Sequence, residues 1–140
     1  MKVCLLDTGP LVAYLAAQDP AHEEIAAWFA SYSGRLATTS AVITEAMHFV
    51  AASQQGPELV AEFMAVTRTA IHGSERAVDL RAATALMRRY DNVPMDYADA
   101  TLLLLADRLE LEEIVTLDRR GFSAYRTPAG KALTMAVDLR

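Results

Sequence analysis

Two short apolar runs in this chain each stop on an aspartate: Lys2-Val3-Cys4-Leu5-Leu6 runs into Asp7, and Ile114-Val115-Thr116-Leu117 runs into Asp118. Each run is too brief for a helix and reads as a buried strand that ends in a carboxylate. In open parallel sheets, ligands bind at the carboxyl ends of the strands. A lone strand-end Asp ordinarily begins a turn or caps the next helix, but two at one sheet edge point to a shared site. Asp99 adds a third acid. It lies three residues after Asp96, in the first turn of a leucine-rich helix, and at 100° per residue it falls between Leu102 and Leu103, where an ionised carboxylate is partly desolvated. Asp96 itself suits the cap of that helix. Glu45 stands at the border of an apolar helical stripe, a place where a solvated glutamate is the ordinary occupant.

Gathered in one place, Asp7, Glu45, Asp99 and Asp118 would repel one another, raising their pKa values or straining the fold. A divalent cation removes that conflict. Carboxylate oxygens are hard donors suited to Mg²⁺ or Mn²⁺, and His22, His48 and His72 are too widely spaced to suggest zinc. Carboxylate-held ions suit phosphodiester hydrolysis, because they lower the pKa of an attacking water and stabilise a leaving oxygen. Thr8, Ser40 and Thr116 adjoin these acids in sequence and could orient a ligating carboxylate; capping helices and pairing in the sheet are equally open to them. Arg119 and Arg120, with Arg126 and Lys131 close behind, form a basic tract able to hold a phosphate backbone, with solvated surface arginines as the alternative. Arg88 and Arg89 read as a solvated helix end that complements the dipole.

The elements that must position these groups are short and alternate. After the first strand, Thr8-Gly9-Pro10 opens a helix through Leu15 with Pro10 in its first turn, and Asp19-Pro20 starts another, capped by Asp19, that runs to about Tyr32 and stops at Gly34. A strand around Leu36–Thr38 precedes a helix over 41–53, capped by Ser40, whose Val42, Ile43, Ala46, Met47 and Val50 share one face. Gly56-Pro57 begins a helix over 58–69. Ala70–His72 is a short strand, and Ser74 caps a helix reaching about Tyr90. Beyond a loop at 91–95, the helix over 96–108 carries Leu102 to Leu105 in succession and is largely buried; Leu133–Val137 supplies a last strand. Strands alternating with helices predict an α/β fold, a three-layer α/β/α sandwich on a short, mostly parallel sheet, as a single domain over 1–140.

Composition narrows the function classes. At 140 residues, 53% apolar and 22% charged, the chain is expected to fold rather than stay disordered. Its single Cys4 excludes an intramolecular disulfide and reads as a buried thiol in a reduced, cytoplasmic protein. No stretch approaches the ~20 apolar residues of a membrane span, and the N-terminus reaches an acid before a secretion signal of ~7–15 apolar residues could form. The net charge of −5 repels polyanions, so any nucleic-acid contact must come from local basic patches or bridging cations.

Four segments taken in order, VCLLDTGPLVAYL with Asp7, TTSAVITEAMHFV with Glu45, MDYADATLLLLADRL with Asp99 and IVTLDRRGFSAYR with Asp118, resemble the PIN domain, in particular the toxin subunit of VapBC toxin–antitoxin modules. The likeness spans nearly the whole chain. It implies that the four acids form the family's metal site, that Thr116 fills its polar position two before the last acid, and that Asp96 is an additional acid acting indirectly. It further implies cleavage of single-stranded RNA by a toxin ribonuclease with Mg²⁺ or Mn²⁺, a homodimer, and neutralisation by a cognate antitoxin protein. Two other readings are a receiver-like phospho-acceptor domain, which lacks here the adjacent acids after its first strand and the late Lys, and a non-catalytic binding module with the PIN fold.

Overall fold

The computed structural model describes residues 2–73 and 76–137. In chain order its elements are β1 (Val3–Leu6), α1 (Thr8–Leu15), α2 (His22–Ser31), β2 (Arg35–Thr39), α3 (Ser40–Val50), α4 (Gly56–Thr67), β3 (Ala70–His72), α5 (Ala77–Arg89), α6 (Tyr97–Leu109), β4 (Glu113–Val115), α7 (Arg119–Ala124) and β5 (Thr134–Met135). The strands form one parallel sheet in the order β3-β2-β1-β4-β5. From β1 the chain first builds outward through β2 and β3, then crosses back to add β4 and β5 on the other side. The order therefore reverses at β1 and β4, and a crevice opens beyond their carboxyl ends.

Period-two alternation splits the strand residues between two apolar layers. Leu5, Ala37 and Ile114 face a core built with α5, α6 and α7, where Ala83, Leu86, Leu102, Leu103, Leu105 and Phe122 are buried. Cys4, Leu6, Leu36 and Val115 face the opposite core, shared with Leu11 of α1, Ile25 of α2 and Val60 and Phe63 of α4. Helix α3 gives Val42 to the first core and Ala46 and Val50 to the second, so it ties the layers together beside the carboxyl edge. Each such buried aliphatic side chain stabilises the fold by about 1.5–3 kcal/mol relative to exposure. The expected three-layer α/β/α sandwich is thus the observed one, with a sheet that is parallel throughout.

The helix starts differ in how they are capped. Asp96 does cap α6, but α3 is capped by Thr39, whose hydroxyl accepts from the Val42 amide; Ser40 is already its first helical residue. The reason is one of length, because β2 runs on to Thr39 and leaves no extended residue for Ser40 to occupy. Asp19 does not cap α2 either. Its carboxylate closes a turn by accepting from the Ala21 amide at 2.8 Å, and the helix starts one residue later without a side-chain cap. The expected cap Ser74 lies outside the described residues. Helix α7, absent from the sequence reading, is one and a half turns long and too short to show a period.

Candidate active site

The carboxyl ends of β1 and β4, the first turns of α1 and α6 and the later turns of α3 surround an open cleft of about 550 Å³. Asp7, Glu45, Asp96, Asp99 and Asp118 all line it, together with Asp19, Thr8, Gly9, Val12, Phe49 and Leu117. Five of the expected acids, remote in sequence, therefore share one space, and none of the residues lining it is basic.

Each acid is held by the backbone that delivers it. Asp7, 6% exposed, is the cap of α1: one carboxylate oxygen accepts from the Thr8 amide at 2.8 Å and the other from the Thr116 hydroxyl at 2.7 Å. The same Thr116 oxygen accepts from the Asp118 amide at 3.0 Å, so one hydroxyl links the ends of the two central strands. Asp118 in turn caps α7 through the Gly121 amide at 3.0 Å, and a Cβ at position 121 would collide with that carboxylate and with the Tyr125 ring. Asp96 and Asp99 form a reciprocal capping box, Asp99 N–H to Asp96 at 2.8 Å and Asp96 N–H to Asp99 at 3.1 Å. Capping and site-building are therefore not alternatives here. As they stand, the oxygens are turned toward these amides and hydroxyls, and among the described residues no three Asp, Glu, His or Cys side chains are gathered closely enough to grip an ion without rotating.

The electrostatics follow from burial and crowding. Burial pushes the Asp7 carboxyl up to about 6, opposed by the Thr116 and Thr8 hydrogen bonds and reinforced by the charges of Asp96 and Glu45. Asp99 is pushed up to about 8, first by desolvation and then by Asp7 and Asp96. Glu45 is raised as well, chiefly by desolvation, with Asp96 adding to the rise and the Thr8 hydroxyl opposing it. That Thr8 hydroxyl is buried and has no hydrogen bond of ordinary geometry among the described residues. Such a group ordinarily costs about 1–3 kcal/mol, and it lies beside the crowded carboxylates.

Of the other residues singled out in the sequence, Thr8 and Thr116 are at the cleft, whereas Ser40 lines a separate cavity on the far side of α3. Arg119 and Arg120 are exposed in the first turn of α7 and do not line the cleft; the Arg126 guanidinium donates to the Ser123 and Tyr125 carbonyls at the helix end. Asp19 and Phe49 were not anticipated. For Asp19 no local signal exists, since only the fold of α1 against α2 brings it in, but Phe49 lies four residues after Glu45 and outside the apolar stripe, which marks it as an aromatic on the acid's own face.

The sequence pattern described as PIN domain matches residues 4–127. The chain belongs to the PIN-domain family. Within that family it is of the VapC type: it is similar to Ribonuclease VapC26 of Mycobacterium tuberculosis, 31% identical over 136 residues that cover 94% of this chain and 98% of the relative. Its fold matches the crystal structure of the Mycobacterium tuberculosis sarcin-ricin loop cleaving toxin VapC20, with a TM-score of 0.76 at 17% identity over 88% of this chain and 95% of that one. The PIN assignment sets aside the receiver-like alternative. Among the described residues no helix of this PIN domain is long and apolar enough to cross a membrane.

Proposed function

We propose that this protein is a VapC-type toxin ribonuclease that hydrolyses phosphodiester bonds of single-stranded RNA, with Asp7, Glu45, Asp99 and Asp118 holding Mg²⁺ or Mn²⁺ and Asp96 acting on them indirectly. The observation that carries this reading is the convergence of six carboxylates, the five expected ones and Asp19, three of them with raised pKa values, in one open cleft lined by no basic group. The donor set fits a hard divalent cation, and the buried Thr8 hydroxyl fits a site that gains a ligand or a reoriented carboxylate. A bound divalent ion supplies positive charge to a phosphate and acidity to a water.

The chain's own residues prepare for that in three ways. Thr116 fixes the Asp7 carboxylate and the Asp118 backbone together, so the two strand-end acids keep one mutual orientation. The Asp96–Asp99 box holds both side chains at the mouth of α6, whose N-terminal dipole favours anions, the acids themselves or a phosphate. Asp7, Asp99 and Thr8 are buried, which keeps bulk water from screening the charges that meet there. Arg119 and Arg120, beyond the cleft, are offered as backbone contacts for RNA, with Arg126 a weaker candidate because its guanidinium is occupied in closing α7. A cognate antitoxin protein and a homodimeric state belong to the same reading, through the VapC-type relatives.

The test is an assay on end-labelled single-stranded RNA with purified protein. Cleavage with Mg²⁺ or Mn²⁺ that stops in chelator and returns on adding the ion is the expected result. Equal cleavage in chelator, or none with any divalent ion, would refute the metal-dependent nuclease.

A further inference from the structure

A second cavity, of about 250 Å³, opens on the other side of α3 and α6 from the acid cleft. The two spaces share walls in an ordered way. On α3, Ser40 and Thr44 line the second cavity, whereas Glu45 and Phe49 line the acid cleft. On α6, Tyr97, Thr101, Leu104, Leu105 and Arg108 follow an i, i+4, i+7, i+8, i+11 pattern along one face of this cavity, while Asp96 and Asp99 point to the acids. A hydrogen bond between the Thr39 and Thr101 hydroxyls at 2.8 Å joins β2 to α6 at the partition. The partition is therefore built by α3 and α6 themselves, each helix about 10 Å across.

The lining is that of a small planar polar ligand. Ala83, Leu104 and Leu105 give an apolar floor, and hydroxyls, the His72 imidazole, the Arg108 guanidinium and the Asp79 carboxylate, which is paired with Arg76, stand around it. Tyr97, 37% exposed, lines this cavity and directly follows Asp96 of the acid cleft. The volume is below the roughly 300–1,000 Å³ of sites for drug-sized molecules, which suits a single ring system. A strand of RNA with its reacting phosphate at the acids would pass the Asp96–Tyr97 corner within reach of this opening.

We propose that this cavity is a nucleobase subsite, which takes one unpaired base of the RNA strand near the cleaved bond and thereby sets the enzyme's sequence preference. The inference rests on the reading of the acid cleft as a ribonuclease site. Unpaired bases are recognised by stacking on aromatic or guanidinium faces and by hydrogen bonds to their edges, and both kinds of group are present. Arg108 and Tyr97 are then specificity residues rather than parts of the hydrolytic machinery.

The decisive experiment sequences the fragment ends from a randomised single-stranded RNA pool cut by the wild type, by Arg108→Gln and by Tyr97→Ala. The wild type is expected to show a base preference at one fixed position beside the cut, on the order of tenfold, and the variants to flatten it. A uniform loss of cleavage with the profile intact would mean a merely structural role and would overturn the proposal, as would a wild type with no flanking preference. In parallel, each of the four nucleoside monophosphates is titrated into metal-free, isotope-labelled protein. Methyl shifts confined to Ala83, Leu104 and Leu105 and lost in Arg108→Gln support the subsite, even if the wild type cuts no RNA and the nuclease reading itself fails. Absence of those shifts, or shifts that depend on protein concentration without nucleotide because a second copy fills the cavity, would overturn it.

Discussion

The two ends of the sheet treat charge in opposite ways. At the amino edge, Lys2 meets Glu113 at 2.7 Å, and the pair answers itself: the carboxylate beside it holds the lysine above its ordinary value, and both side chains remain partly in water. At the carboxyl edge, six acids face one cleft with no base among the residues lining it, and pKa values move up where burial and crowding are greatest. An edge that satisfies its own charge is a structural feature. An edge that leaves a surplus of one sign is stable only at a cost, and it lowers that cost by taking up protons or by binding a cation from outside.

The sharpest way to break this comparison is Asp99→Asn. Its amide oxygen can still accept from the Asp96 backbone, so the capping box survives in part while one repelling charge goes. RNA cleavage is expected to fall on the order of 10³-fold, the loss of several kcal/mol of charge stabilisation in the transition state. Metal-free protein should nonetheless melt at a higher temperature than wild type. Cleavage near the wild-type rate, or a lower melting temperature without metal, would remove the distinction drawn between the two edges.

Proton uptake gives the next largest effect. A carboxyl whose folded pKa lies above its unfolded value is protonated more readily in the native state, so its contribution is full at low pH and is lost as pH rises through the folded pKa. For Asp7, raised to about 6, and Asp99, raised to about 8, the window runs from about 4 to about 8. Metal-free protein is therefore expected to lose stability across that range as pH increases, on the order of 3 kcal/mol from the buried Asp7. Saturating divalent ion should cancel the loss, because it competes with protons for the same oxygens. Urea melts at stepped pH, with and without Mg²⁺, measure this directly, and a stability that rises with pH in chelator would contradict it.

How much of this was legible in the sequence depends on range. Asp7 and Asp118 could be placed because each ends an apolar run, and the run itself says which way the strand points. Asp99 could be placed because helix geometry sets it among leucines that must be buried. Ser40 was misplaced because a residue's neighbours in sequence do not say which side of a helix it will face once the strand before it is one residue longer than expected. Asp19 and the second cavity were invisible, since both depend on how separate elements pack. The basic tract after Asp118 was visible as composition, but its division, two exposed arginines at the start of α7 and one closing its end, needed the helix that was too short to detect.

Thr116→Val tests whether the acid edge is tuned or merely crowded. The substitution keeps the shape and removes the single hydroxyl that donates to Asp7 and accepts from the Asp118 amide. With its main opposing hydrogen bond gone, the Asp7 carboxyl should rise further, and metal affinity should drop roughly 10–100-fold, the usual cost of losing an outer partner of a ligand. Thr116→Ser should restore most of it. Isothermal titration with Mn²⁺ reads the difference, and equal affinities for the three proteins would show that Thr116 serves only the sheet.

The smallest effect is expected where the chemistry of the substitution is the same as in Asp99→Asn. Glu113→Gln also turns one carboxylate into an amide and also changes the formal charge by one, but it does so at the amino edge, where it removes the partner of Lys2. Exposed ion pairs contribute little and are screened by salt, so melting temperature should change barely and should never rise as it does for Asp99→Asn. Affinity for Mn²⁺ and cleavage should stay within the scatter of the assays, because the pair lies at the other end of β1 and β4 from the cleft. Measured side by side, the two variants separate the effect of total charge from that of placed charge. If Glu113→Gln reduced cleavage as Asp99→Asn is expected to do, the acid edge would owe its behaviour to the net −5 of the chain rather than to the convergence of its carboxylates.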